Sequence, residues 1–191
     1  MSLQKINART IIITLMILAA LAIRLLSFKF PVLSNFSPVG AIALFGGAYF
    51  TDKWKAYLIV LVALFISDML LTMMRTSDFQ LWYSSYLWVY LSFAVMVYIG
   101  SLIKKASFVN VALASLAAVC VHWLITDLPW VYAGTLYPYT LAGYGQSLLA
   151  AIPFERNMVL GDMVFCAILF GGFELAKSKY TVLRTNTQLA A

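Results

Sequence analysis

The sequence is short of charge. Of its 191 residues only 10% are Asp, Glu, Lys or Arg, against about 25% in an ordinary water-soluble domain. It has one histidine and two cysteines. Cys120 and Cys166 lie in separate apolar runs, with no CxxC spacing and no histidine at metal-ligand distance. They read as buried, inert thiols, and no metal or cofactor is expected. There is no GxSG serine, no HExxH helix and no P-loop, so hydrolase, metalloprotease and nucleotide-binding chemistry have no visible footing. The chain is therefore not expected to be an enzyme. If it moves a solute uphill, a separate protein must supply the energy.

What is present is apolar surface. Hydrophobic residues make up 63% of the chain, and the mean hydropathy is +0.92. This composition points to an all-α polytopic membrane protein, a single transmembrane domain over residues 1–180 with a polar, loose cytoplasmic tail over 181–191. The net charge of +6 needs no nucleic acid, because the basic residues sit mostly in short segments between apolar runs, where they set topology.

Six spanning segments are expected: Asn7–Leu26, Pro38–Phe50, Trp54–Met74, Trp82–Ile103, Ser107–Ile125 and Asn157–Ala176. The first resembles a signal peptide, but apolar character resumes after Arg24, so we read it as a retained helix. The stretch Pro138–Ile152, stopped before Pro153, reads as an extra short interfacial or re-entrant helix. One side of the bundle collects Lys5, Arg9, Lys53, Lys55, Lys104, Lys105, Lys177, Lys179 and Arg184; the other holds Arg24, Lys29, Arg75 and Arg156. The positive-inside rule then places both termini in the cytoplasm and three longer loops, Phe28–Ser37, Arg75–Leu81 and Asp127–Arg156, outside.

The stretch Asn35–Phe50, NFSPVGAIALFGGAYF, organises the rest. Ser37 is a candidate helix cap and Pro38 a first-turn proline. Gly40, Ala43 and Gly47 share one helical face and permit close helix–helix approach. From Pro38 to Phe50 a helix rises only about 20 Å, short of the ~30 Å hydrocarbon core. It suits the floor of a site better than a plain anchor, although ordinary tight packing explains the same spacing equally well.

Ionisable groups within apolar segments are costly, and each is a functional candidate. Arg24, Asp68, His122, Asp127 and Asp162 all fall at the outer end under this topology, and none is expected near the cytoplasmic end. With Asn35 they outline an outward-facing polar pocket, for which Trp82, Tyr86, Trp123 and Trp130 offer apolar walls. Simpler accounts stand beside this one. Arg24 pairing with Asp68 or Asp162 would pin helices together. Trp and Tyr at helix ends form an interfacial belt without any ligand. A lone histidine such as His122 is more often a hydrogen-bonded core residue than a ligand.

The ordered set NFSPVGAIALFGGAYF, FISDML and YPYTLAGYGQSLLAAIPFERNMVLGD resembles a bacterial membrane-protein family of about this length. That family is in turn similar to the substrate-binding (S) components of energy-coupling-factor (ECF) vitamin transporters. The resemblance runs from about Arg24 to Glu174. It implies six helices in the bacterial inner membrane, and a vitamin-like solute held beneath the loops between helices 1–2, 3–4 and 5–6. It also implies docking through small residues, here Ala19, Ala20 and Ala22, onto a transmembrane coupling subunit driven by ATPases. The expected function is thus a substrate-binding subunit for uptake of a small vitamin-like molecule. A structural accessory subunit of a larger membrane complex is the main alternative. A membrane enzyme built on His122, Asp127 and Asp162 ranks third, because no nucleophile or metal set accompanies them.

Overall fold

The computed structural model describes residues 8–27, 35–76, 85–128 and 136–184. These form six helices: α1 Ala8–Ser27, α2 Val39–Tyr49, α3 Lys53–Thr76, α4 Tyr86–Ser101, α5 Phe108–Thr126 and α6 Leu141–Lys179. A short 3-10 turn, Thr181–Leu183, follows. No strand occurs among the described residues.

Four helices, α1, α3, α5 and α6, are long and apolar enough to cross a membrane. Helices α2 and α4 are shorter. At 1.5 Å per residue α2 spans about 16 Å and α4 about 24 Å. Large apolar side chains such as Leu15, Leu58, Leu113 and Ile168 are exposed on the outside of the bundle. That is the pattern of helices whose outer surface meets lipid rather than water.

Helix α2 is the core. Every residue in it is buried except half-buried Ala48. A Cβ at Gly47 would stand 2.1 Å from the Val97 carbonyl oxygen, and one at Gly100 would stand 2.3 Å from the Leu44 carbonyl oxygen. Only glycine on both helices lets α2 and α4 approach this closely. Below this crossing Phe45, Tyr49, Phe170 and Phe173 pack edge-on and tilted, with ring centroids 4.5–5.6 Å apart.

A short helix sealed inside protein leaves orphan N–H groups at one end and orphan carbonyls at the other, with no water to satisfy them. Neighbouring helices supply the partners. At the start, Asp162 of α6 accepts the Ala41 N–H at 3.0 Å. At the end, Lys53 Nζ donates to the Gly47 carbonyl at 2.8 Å and Arg9 donates to the Tyr49 carbonyl at 2.9 Å. An acid at the N-terminus and two cations at the C-terminus also oppose the helix dipole with the right signs. Ser37 does not act as the expected cap: Pro38 occupies the N-cap position and makes no side-chain bond.

Three expectations need correction here. First, α6 is a single helix. Thr140 caps it by accepting the Gly143 N–H at 3.0 Å, and it runs through Pro153 to a π-helical turn at Ala167–Gly171 and on to Lys179. There is no separate interfacial helix ending before Pro153. A proline deletes one backbone bond, but packing on both sides can hold a membrane helix together. Trp123 Nε1 donates to the Leu148 carbonyl at 3.1 Å, and the Tyr144 hydroxyl donates to the Leu124 carbonyl at 2.7 Å, tying the start of α6 to the end of α5.

Second, buried polar groups also occupy the basic end. Arg9 is 7% exposed. Besides the Tyr49 carbonyl it donates to the Leu183 carbonyl, and its guanidinium lies 5.2 Å from the Phe173 ring centre. The Tyr49 hydroxyl donates to Glu174 at 2.6 Å, and Glu174 also pairs with Lys177. Leu183, 1% exposed, is thereby fixed against α1, so the chain is not loose from 181 to 184. The stretch 185–191 lies outside the described residues. Third, Cys120 is exposed on the outside of the bundle and only Cys166 is buried; both are free thiols.

Candidate functional site

The end of the bundle opposite Arg9 holds two separate polar groups. One is a network around Asp68. Arg24 pairs with Asp68 at 2.6 Å and donates to Ser67 Oγ. The Tyr90 hydroxyl donates to Asp68 Oδ2 at 3.0 Å, and the Tyr86 and Tyr90 hydroxyls meet at 2.9 Å with their rings stacked 4.4 Å apart. Tyr86 and Tyr90 are one helical turn apart on α4, which is why their rings stack and their hydroxyls meet. Here the simpler reading of Arg24 and Asp68 describes what is seen: each neutralises the other and joins α1 to α3.

The second group surrounds a cavity of about 310 Å³. Asn35, Ser85, His122, Thr126, Asp127, Tyr137, Ser147 and Glu155 provide its polar lining among the described residues, and Val89, Leu136, Ala150 and Phe154 are among its apolar walls. Asn35 holds a left-handed backbone, φ 64°, at the turn into α2; asparagine tolerates that conformation better than most residues. Asp127, 5% exposed, ends α5, and its carboxylate accepts the Ser147 hydroxyl at 3.3 Å. His122 Nδ1 stands 3.3 Å from Glu155 Oε1. The imidazole is also 5.8 Å from the Phe93 ring centre.

The candidates from the sequence are thus divided. Asn35, His122 and Asp127 line the cavity. Arg24, Asp68 and Tyr86 belong to the network around Asp68. Trp123 is a brace between α5 and α6. Asp162, 0% exposed, lies behind Gly40, where a Cβ would come within 2.2 Å of its Oδ2; it caps α2 and does not line the cavity. Trp82 and Trp130 lie outside the described residues. Of the docking residues, Gly40, Ala43 and Gly47 are fully enclosed within the bundle. Ala19 and Ala22 face outward, but Ala20 belongs to the core, so the three do not share one exposed face.

Glu155 is the residue missed. Ending a helix at Pro153 put it in a loop. Once α6 is continuous, Ser147, Ala151, Glu155, Met158 and Asp162 follow at spacings of three and four and form one buried face. That pattern was the available signal.

A model of a family of unknown function, DUF6580, matches residues 4–185. The chain belongs to this family. Neither a curated protein nor a solved structure matches it. Within this DUF6580 chain, no group of three or more His, Cys, Asp and Glu side chains is placed to hold a metal ion among the described residues.

Proposed function

We propose that this protein is a substrate-binding membrane subunit for uptake of a small vitamin-like molecule, of the ECF S-component kind. It lies in the bacterial cytoplasmic membrane with both termini inside, and a separate ATPase module energises it through a transmembrane coupling subunit. In this reading α2 and α4 complete a six-span bundle as short, protein-enclosed spans. The observation that carries the reading is the cavity between Asn35, the start of α4, the end of α5 and the first half of α6. It lies where the resemblance puts a solute, and it combines apolar walls with a few convergent polar groups, as small-molecule sites do.

The accessory-subunit reading draws on a different observation. Arg24 pairs directly with Asp68, and Tyr90 donates to the same carboxylate, as expected of groups that fasten helices. Native mass spectrometry of the gently extracted protein separates the two. A solute retained at one per chain and released on unfolding supports the binding subunit. A bare chain mass, found with a stable larger assembly, refutes it in favour of the accessory role.

A further inference from the structure

We propose that the cavity selects a small organic cation, a quaternary or protonated nitrogen carried on an apolar body. This rests on reading the cavity as a solute site. Among its described lining residues the ionisable groups are His122, Asp127 and Glu155, with neither lysine nor arginine. Of these, Glu155 stands beside the imidazole, its Oε1 3.3 Å from His122 Nδ1.

Glu155 makes the case specific. It is 6% exposed, and its Oε2 has no hydrogen-bond partner. A buried carboxylate oxygen without a partner has lost its water and gained nothing in return, so its retention calls for a positive or hydrogen-donating partner from outside the chain. Arg24 is committed to Asp68 and Ser67. Among the described residues no three His, Cys, Asp or Glu side chains are placed to hold a bare metal ion. The volume of about 310 Å³ sits at the lower end of ligand pockets, roughly 300–1,000 Å³.

The test is titration calorimetry of the full chain in lipid nanodiscs against a charge series. The cations are choline and N-methylpyridinium. Dimethylbutanol is choline's neutral carbon isostere, and benzoate is the anion. A charge-assisted contact with Glu155 predicts that the cations bind at least about tenfold more tightly than dimethylbutanol. Glu155→Gln should abolish that preference. The wild-type ranking decides the matter even if E155Q does not fold. Equal or tighter binding of dimethylbutanol or benzoate overturns the cation assignment and leaves the solute-site reading standing. No binding by any probe, with no molecule retained through native extraction, overturns both.

Discussion

The close crossing of α2 and α4 makes Gly47→Ala the sharpest test of the fold. The new Cβ would lie 2.1 Å from the Val97 carbonyl oxygen and 2.9 Å from the Ser101 nitrogen, both backbone atoms. Ordinary contact begins at 3.4 Å, so the helices must part locally by 3.4 − 2.1 = 1.3 Å. A side chain could rotate away; these atoms cannot. On α2's neighbouring face a Cβ at Gly46 would stand 2.8 Å from the Val60 side chain of α3, so the helix is closely packed there too. Overpacking of this kind costs about 3 kcal/mol. For a chain of this size that corresponds to a fall of about 6–12 °C in melting temperature. Gly145→Ala is the matched control, since nothing lies within 4 Å of its would-be Cβ. Alanine there should be neutral or stabilising by up to about 1 kcal/mol. Tryptophan-fluorescence melting of both variants in one detergent reads the difference. If Gly47→Ala melts with wild type and Gly145→Ala, the interhelical approach described above is wrong.

Other expectations follow from the buried polar contacts. Asp162→Ala leaves the Ala41 N–H unpaired in a dry core and should cost about 1–3 kcal/mol, whereas Asp162→Asn keeps a carbonyl acceptor there and should cost less; chemical denaturation of the pair checks the order. Arg24→Gln leaves the Asp68 carboxylate with Tyr90 but no cation and should destabilise, with recovery in the Arg24→Gln/Asp68→Asn double variant. A double variant no more stable than the single would argue against a direct pair. Arg9→Ala removes the bonds to Tyr49 and Leu183, so limited proteolysis should cut near 181–184 several-fold faster than in wild type. Unchanged cleavage would mean that this segment is held by other contacts.

Much of this protein is decided by local chemistry, and the sequence by itself was sufficient for that part. Low charge and long apolar runs require helices that satisfy their own backbone bonds in lipid, since no other spanning element was compatible with the pattern. The glycines and alanines of α2 required a close neighbour, and the helix is indeed the enclosed centre of the bundle. The sequence pointed to the polar end as well, through Asn35, His122 and Asp127. Tertiary packing decided what local rules left open. Pro153 marks a weak point in a helix, but whether the helix breaks depends on what grips it from either side, here Trp123, Tyr144 and the groups beyond. That continuity turns Glu155 from a loop residue into a cavity wall. Packing likewise decided that Asp162 faces the start of α2, Asp68 faces Arg24, and Arg9 enters the opposite end, because a helical residue's direction changes by about 100° with each step along the chain while its burial depends on which helix lies opposite.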